Sequence, residues 1–417
     1  MKSYILSDLK RQVLARIKPT PQDREKIESH LKPILERING MEYMIQGSFA
    51  KDTWLKGSSD VDVFILFDKE SKDRMEEIVN ELESKMSGYQ TEKAYAEHPY
   101  LIVKDGFIEV DLVPAVKVES GDQIVTAVDR TPFHTRFVNS RLSDQQKDEV
   151  RVLKQFMKGI GVYGAEIKVM GFSGYICELL VANYGSFENV VEEASKWKPQ
   201  VRIDLMGESK KNFDEPLVIV DPVDPKRNAA AAVSMKSLAT FSFASKLFIE
   251  KPSLNFFFPP EVEGEPLGDI MIVRIKIEEN VAKDVIWGQV VKTVERIRKE
   301  LSNAGFRIID VGAWEEGNII NIGIELEERK IGKYYKSQGP PFFIEGSLDF
   351  AKKNQYVWIG EDGRLYSVKE RRFTDPEEIV KLSISIKVKH EINIKWMKEK
   401  GRGEVGSFMR KTPPWLR

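Results

Sequence analysis

The chain of 417 residues carries 64 Lys and Arg against 65 Asp and Glu, so its net charge of -1 indicates neither an acidic nor a basic partner. Its length and its 41% of hydrophobic residues predict several domains with a sizeable core. The charge is uneven, because residues 1–140 hold 20 basic and 24 acidic side chains whereas residues 371–417 hold 12 and 6. An acidic front and a basic end suit an enzyme that holds cations and a polyanion, although a solvated surface explains the same basic excess.

The cysteine content and the hydropathy favour an intracellular protein without a membrane partner. Cys177 is the only cysteine, so an intrachain disulfide is excluded and a reducing, cytoplasmic location is expected. The stretch MKSYILSDLKRQV carries charges too early and too often for a signal peptide. No run of about 18 apolar residues is present, so no membrane span is expected.

Residues 1–140 have the pattern of an α/β unit. Thr20 can cap a helix that Pro21 begins. The other expected elements are a strand in EYMIQ, a buried strand in VDVFILF, a helix over residues 69–85, and an alternating strand over Phe107–Ala115 that stops at Pro114.

The rest of the chain predicts a mainly helical middle domain over residues 141–255 and an α+β region over residues 256–417. Helices are expected along the face Val150, Leu153, Met157 and Ile160, in GFSGYICELLVANYG, in FENVVEEASKWK, and at the alanines of DPKRNAAAAVS. The β-α-β-β order after residue 268 suggests a ferredoxin-like half. The sequence therefore predicts an α+β multidomain protein.

The stretch GSFAKDTWLKGSSDVDVFILF (residues 47–67) places two aspartates at the beginning of an apolar strand. Residues two apart in a strand point to the same side, so Asp60 and Asp62 face one way while Val61 and Val63 face the core. Carboxylates side by side repel each other unless a cation binds there. Oxygen ligands alone are what Mg²⁺ prefers, which makes this pair a candidate magnesium site.

A third carboxylate on a neighbouring strand would allow two Mg²⁺ ions to be held about 4 Å apart, the arrangement used in nucleotidyl transfer. The strand over residues 107–115 offers Glu109 and Asp111, which share a face. Periodicity alone does not choose between them.

Gly47 and Ser48 form a turn between a strand and a helix. Glycine lets phosphate oxygens approach the backbone, and the serine hydroxyl and nearby amides can donate to them. A P-loop is excluded, because GxxxxGK[ST] does not occur. The combination of this turn, a DxD before an apolar strand and a carboxylate on a later strand indicates a nucleotide-binding, metal-dependent enzyme.

These motifs resemble the nucleotidyltransferase superfamily of the polymerase-beta type, and more narrowly the archaeal, class I CCA-adding enzymes. The stretches that carry the resemblance are GSFAKDTWLKGSSDVDVFILF, AEHPY, VDLVPA, AVDRTPFH, GVYGAEIKVMGFSGYICELLV and VIVDPVDPKRNAAAAVS. They cover the front two thirds densely, and the last third is similar mainly in layout. The resemblance implies a head, neck, body and tail, two Mg²⁺ ions, CTP and ATP as substrates, and a tRNA lacking all or part of its 3′ CCA as acceptor.

The resemblance also assigns roles to residues. It makes Asp60, Asp62 and Asp111 the catalytic metal ligands, and it makes Arg227 the reader of the incoming base. The remaining nucleotide contacts that it implies are Gly47, Ser48, Lys51, Thr131, His134, Lys154 and Tyr163. The family often has Glu where Asp60 stands, and many relatives have Arg where Lys51 stands, a change that keeps the charge but loses a bidentate fork.

The residues by themselves leave alternatives open. Lys154 lies on an amphipathic helix and is equally well explained as a solvated lysine. His134 is as readily a structural hydrogen-bond partner as a ligand. Arg227 could instead pair with Asp221 or Asp224 nearby.

Other functions are also compatible with the carboxylates. A poly(A) or uridylyl polymerase would share them and differ in base choice, and an RNA-binding protein with an inactive core or an enzyme acting on a small molecule would differ in class. The intact carboxylates argue against an inactive core, and the basic end argues against a small-molecule substrate. The sequence leaves the oligomeric state open, a homodimer included.

Overall fold

A computed structural model describes residues 2–68, 74–95, 98–118, 127–207, 209–279 and 281–416. The chain divides into two compact units. The first comprises Met1–Pro260 together with Pro413–Arg417, and the second comprises Glu261–Thr412. Within the described residues, no helix is both long enough and apolar enough to cross a membrane.

The first unit combines a mixed sheet with a group of helices. Its helices are α1 (Lys2–Ile17), α2 (Pro21–Arg37), α3 (Gly47–Ala50), α4 (Met75–Lys85), α5 (Thr131–Arg141), α6 (Asp144–Gly159), α7 (Gly174–Tyr184), α8 (Phe187–Ala194) and α9 (Met235–Glu250). Its strands are β1 (Tyr43–Gln46), β2 (Asp60–Phe67), β3 (Gln90–Tyr95), β4 (Pro99–Lys104), β5 (Glu109–Val116), β6 (Val201–Ile203) and β7 (Leu217–Ile219). Thr20 caps α2 as expected, and the expected helix over residues 69–85 is described from residue 75 onward, since residues 69–73 lie outside the described ranges.

The main sheet has the order β1-β2-β5-β4-β3. Only the β2–β5 pair is parallel; the other neighbours are antiparallel. Val61, Val63 and Ile65 of β2 are buried in the core beneath the sheet, so the alternation expected for this strand is confirmed. The opposite face of β2 carries the acidic side chains.

The expectation that β5 stops at Pro114 is wrong. The strand runs to Val116, and Pro114 pairs with Ile65 of β2. Pairing of β5 with β4 ends at Leu112, so Pro114 lies where the strand has a neighbour on one edge only. A proline without an N–H is tolerated at such an edge because it breaks no ladder on that side.

The helices of the first unit share a second core. The face expected from Val150, Leu153, Met157 and Ile160 is buried there, which confirms the helical reading of α6. The capping box of Ser143 and Gln146 fixes where α6 begins. The same core includes Leu9 and Val13 of α1 and Trp415 from the last residues of the unit.

The expectation that a helix begins at the alanines of DPKRNAAAAVS is wrong. Ala229–Ala232 form turns, and α9 begins at Met235 behind the cap Ser234. The backbone before α9 bonds instead to β7, since Ala229 N–H donates to Ile219 O at 2.8 Å. The Asn228 side chain adds hydrogen bonds to Leu217, Ile219 and Ala230, and these contacts outweigh the helix propensity of alanine.

The second unit has a ferredoxin-like sheet of order β14-β8-β10-β9 with a three-stranded sheet of order β11-β13-β12 inserted in the sequence. Its strands are β8 (Asp269–Ile277), β9 (Ile308–Glu316), β10 (Ile319–Leu326), β11 (Tyr334–Pro341), β12 (Val357–Ile359), β13 (Arg364–Glu370) and β14 (His390–Met397). Its helices are α10 (Lys283–Ala304), α11 (Gly346–Lys353), α12 (Pro376–Ser383) and α13 (Gly403–Arg410). The order β8-α10-β9-β10, completed by α12 and β14, confirms the α+β multidomain class.

Candidate active site

A row of carboxylates crosses the face of the main sheet opposite the core that holds Val61 and Val63. The parallel register of β2 and β5 pairs Asp60 with Glu109 and Asp62 with Asp111. The side chains of such pairs lie on the same face, so the register brings all four acidic residues together. The structure thus unites the three sequence-predicted metal ligands on two adjacent strands.

The environments of Glu109 and Asp111 differ. Glu109 is 39% exposed at its side chain and pairs with Lys104 at 3.3 Å. Asp111 lies deeper, and its Oδ1 atom is buried without a hydrogen-bond partner among the described residues. Of the two carboxylates that periodicity left open, Asp111 is therefore the one whose oxygen lacks a partner.

The negative charges of these carboxylates repel one another. Burial, followed by the carboxylates of Asp62, Glu109 and Asp60, raises the pKa of Asp111 to about 7. Burial also raises the pKa of Asp62 and of Asp60, in the latter case with a further contribution from Glu109. Three carboxylates with raised pKa values on one face form a site that a cation would stabilise.

The chemistry of these donors fits Mg²⁺, because they are all oxygen ligands and one is unpartnered. No group of three or more His, Cys, Asp or Glu side chains within the described ranges forms a preformed metal cage. The strand register fixes the backbone positions of the carboxylates on two adjacent strands. The residues present therefore fit a divalent cation without being closed around one.

Gly47 lies against the carboxylate row. Its φ of +67° is in the left-handed region, and a Cβ atom there would overlap the Asp62 carboxylate. Only glycine satisfies both constraints. Ser48, the next residue of α3, is half-buried. The GS turn thus brings the backbone close to Asp62.

Two lysines converge on a buried glutamate beside this row. Lys51 Nζ lies 2.5 Å from Glu178 Oε2, and Lys154 Nζ lies 3.5 Å from Glu178 Oε1. Lys154 is 2% exposed, so the alternative of a solvated lysine is wrong. Thr53 completes the cluster, because its hydroxyl donates to Glu178 Oε1 at 2.6 Å and its carbonyl accepts from Lys154 at 3.0 Å.

Tyr163 lies next to these lysines. A Cβ atom at Gly174 would meet Tyr163 Oη at 3.1 Å and Lys154 Nζ at 3.3 Å, so both groups flank the first residue of α7. The Lys158 ammonium lies 5.3 Å from the Tyr163 ring centroid. Burial is the main cause that raises the pKa of Tyr163, which keeps its hydroxyl neutral.

His134 and Arg227 meet at a second buried carboxylate, Asp221. His134 Nε2 lies 2.9 Å from Asp221 Oδ2, Arg227 Nη1 donates to the same oxygen at 2.7 Å, and the Tyr175 hydroxyl donates to Oδ1 at 3.2 Å. Burial opposes ionisation of Asp221, yet His134, the Val223 backbone N–H and Arg227 lower its pKa to about 2. The pairing of Arg227 with Asp221 that the sequence allowed is thus present.

Thr131 is half-buried at the beginning of α5. No hydrogen bond or ion pair between described residues joins it to the carboxylates or lysines. Glu178, Asp221, Tyr175 and Thr53 were not singled out from the sequence as site residues. They lie inside the motif stretches, and Asp221 was considered only as a partner for Arg227. Thr53 and Glu178 pair with each other across more than a hundred residues of the chain, so the sequence carries no signal for their pairing.

Models of known protein families match this chain over three successive stretches. The models are described as "Nucleotidyltransferase domain" at residues 27–134, "tRNA nucleotidyltransferase, second domain" at residues 148–258 and "CCA-adding enzyme, C-terminal domain" at residues 269–397. The three stretches divide the chain into the same succession of α/β, helical and ferredoxin-like parts that the fold displays.

Curated relatives match over nearly the whole length. A "CCA-adding enzyme" of Sulfolobus acidocaldarius is 49% identical over 97% of this chain and 98% of its own. Proteins of the same name from Sulfurisphaera tokodaii and Saccharolobus islandicus are 50% and 49% identical, each over 98% of this chain and 100% of the relative. This chain therefore belongs to the CCA-adding enzymes, a family of tRNA nucleotidyltransferases.

Proposed function

We propose that this protein adds C, C and A to the 3′ end of tRNA molecules that lack all or part of that sequence, using CTP and ATP. The observation that carries the proposal is the register of β2 and β5, which sets Asp62 opposite Asp111 beside two buried lysines. Family membership supplies the acceptor and the nucleotides, and the geometry supplies residues suited to the chemistry.

In the proposed reaction, the 3′-hydroxyl of the RNA attacks the α-phosphate of CTP or ATP, and pyrophosphate leaves. Asp60, Asp62 and Asp111 would hold two Mg²⁺ ions, which when bound promote ionisation of the hydroxyl and offset charge on the phosphates. Lys51 and Lys154 would hold the triphosphate by charge. Ser48 and the backbone at Gly47 would donate to its oxygens, and Tyr163, Thr131 and His134 would line the rest of the nucleotide site.

Base choice is assigned to Arg227. Arginine has five N–H donors in a rigid fork and no acceptor. Asp221 engages one nitrogen of this fork, and the side chain remains 38% exposed. The anchored fork can donate to acceptors of cytosine and of adenine, whereas the N–H groups of uracil and guanine would meet it donor to donor.

The basic end of the chain is the candidate tRNA contact. Residues 371–417 hold twice as many basic as acidic side chains, and cations that neutralise phosphates release counterions. Binding of tRNA should accordingly weaken as salt rises.

The test is incubation of the protein with labelled CTP, ATP, UTP and GTP, each alone and then CTP with ATP, on a tRNA transcript lacking its 3′ end. Addition of two C residues with CTP, and completion by A only when ATP is also present, supports the proposal. Long A or U tails would instead indicate a poly(A) or uridylyl polymerase. Binding of tRNA without incorporation would indicate an inactive core, and incorporation that needs no RNA would indicate a small-molecule acceptor.

A further inference from the structure

Glu178 is a fully buried carboxylate with no assigned part in the chemistry. It lies on α7 and is 1% exposed. Its Oε2 atom contacts Lys51 at 2.5 Å, and its Oε1 atom contacts the Thr53 hydroxyl at 2.6 Å and Lys154 at 3.5 Å. Both oxygens face the two lysines assigned to the triphosphate, so Glu178 does not itself need to touch substrate.

The three elements that carry this cluster are otherwise separate in sequence. Lys51 and Thr53 follow the GS turn of α3, Lys154 lies on α6, and Glu178 lies on α7. Thr53 N–H also donates to Ser48 O at 3.0 Å, so the segment that bears the nucleotide-binding serine is tied to the cluster. Arg151 of α6 also binds this segment, through Asp52 O at 2.6 Å and Trp54 O at 3.0 Å. Glu178 is the residue of α7 that binds the two lysines and the threonine of the segment together.

The charges of the cluster require a carboxylate at this position. Lys51 and Lys154 repel each other, and burial lowers the pKa of Lys154 while Glu178 opposes that change. A buried ammonium that loses its only carboxylate partner is strongly destabilised as a charge. Lysine side chains also lose rotamer entropy when they are fixed, and a partner in the free enzyme fixes them before the substrate binds.

We propose that Glu178 is a positioning residue that holds Lys51 and Lys154 in place, and charged, for the triphosphate of the incoming nucleotide. The inference rests on the proposed function, because it takes the triphosphate as the ligand of the two lysines. Loss of Glu178 should weaken binding of every nucleotide equally, since the proposed choice of base depends on Arg227 and its partner Asp221.

If Glu178 acts only as a nearby negative charge, its removal should change the affinity for the triphosphate in the opposite direction. Its removal would then make the pocket more positive and would tighten binding of a polyanion. Positioning predicts weaker binding, because the lysines lose their fixed geometry and the buried Lys154 loses the group that favours its charge. The two explanations are therefore separated by the direction of one measured change.

The experiment measures the full-length Glu178→Gln variant on tRNA lacking its terminal A and on tRNA lacking the whole CCA. We expect KM for both ATP and CTP to rise by about tenfold while kcat changes by less than about twofold, the pattern of lost uniform binding. Inorganic tripolyphosphate, which has no base, should inhibit with an inhibition constant raised by the same factor. The preference for CTP over UTP should not change.

Glu325→Gln is the matched control. Glu325 is also fully buried, pairs with Lys411 at 2.9 Å and accepts from the backbone of Gly268 at 3.1 Å, all within the second unit. Its substitution should lower stability comparably and leave KM and tripolyphosphate inhibition unchanged. Equal effects of the two variants on KM, or unchanged or tighter tripolyphosphate binding by Glu178→Gln, would overturn the inference.

Thr53→Val decides the matter if Glu178→Gln fails to fold. Valine preserves the shape of threonine but removes the hydroxyl that holds Glu178 and receives Lys154. Its inhibition constant for tripolyphosphate should rise about two- to threefold, consistent with loss of one hydrogen bond, and no rise would contradict positioning. A wild-type protein that adds neither C nor A refutes the proposed function, whereas normal wild-type addition with unaltered variants refutes only the role of Glu178.

Discussion

Replacing Asp111 by asparagine should stabilise the protein while abolishing nucleotide addition. The pKa of Asp111 is raised from 3.8 to about 7, mainly by burial and then by its carboxylate neighbours. Each unit corresponds to about 1.36 kcal/mol, so an ionised Asp111 disfavours the folded state by as much as ~4 kcal/mol. Water and counterions reaching the open face reduce this penalty, and we expect Asp111→Asn to gain about 2 kcal/mol without metal, or roughly 4–8 °C in Tm.

The sign of the pH dependence follows from the raised pKa. The folded state binds the Asp111 proton more tightly than the unfolded state does, so this residue lowers stability as pH rises from about 4 to above 7. Below about pH 4 both states are protonated and the substitution gains nothing. The difference in Tm between Asp111→Asn and wild type should accordingly grow with pH and level off above about pH 7.

Thermal unfolding in EDTA, followed by calorimetry between pH 4.5 and 8.5, measures this difference. Glu109→Gln is the comparison variant, because Glu109 is partly exposed and already paired with Lys104. Its gain should be smaller than that of Asp111→Asn, since its removal relieves only the repulsion that it exerts on Asp111 and Asp60 and loses the pairing with Lys104. Added Mg²⁺ should raise the Tm of wild type more than that of Asp111→Asn, since ligand binding to the folded state stabilises it. A gain independent of pH, or an equal effect of Mg²⁺ on both proteins, would refute the assignment of Asp111.

Three further substitutions test the site. Gly47→Ala should abolish addition, because its Cβ would overlap the Asp62 carboxylate, and normal activity would show that the turn can move. Asp62→Ala should eliminate incorporation in a primer-extension assay but leave tRNA binding in a gel-shift assay near wild type; joint loss of both would mean that the residue is structural. Arg227→Ala should reduce discrimination of CTP from UTP by about 1–3 kcal/mol, and Arg227→Lys should restore only part of it, as measured by relative kcat/KM. An unchanged CTP/UTP ratio would move base choice to other residues.

Local signals made much of the fold predictable. Apolar and acidic residues alternate along β2 around Val61 and Val63, so the sequence of this one strand is enough to predict which face is buried. The caps Thr20 and Ser143 likewise lie next to the helices that they begin. Two predictions were wrong, the end of β5 at Pro114 and the helix at Ala229–Ala232. In both places the backbone conformation depends on pairing with a strand that is distant in the sequence. A proline at an unpaired edge is harmless, and bonds from Asn228 to β7 override alanine's propensity.

The residues of the candidate site likewise fall into those that a short stretch of sequence predicts and those that depend on distant parts of the chain. Asp60 and Asp62 could be found because two carboxylates before an apolar strand are unusual within a short window. The choice between Glu109 and Asp111 needed the depth of each residue in the sheet, which periodicity does not contain. Glu178 could not be found at all, since its partners Lys51 and Thr53 precede it by more than a hundred residues.

The return of residues 413–416 to the first unit has a consequence for synthesis of the protein. Trp415 is buried against Phe256 with ring centroids 5.6 Å apart, in the core that also holds α6. The ribosome makes Phe256 before the whole second unit and Trp415 after it. The aromatic core that also holds α6, the helix of Lys154, is therefore completed only when residues 261–412 have emerged. An interrupted chain that ends before Pro413 contains every proposed catalytic residue but lacks Trp415 from this core.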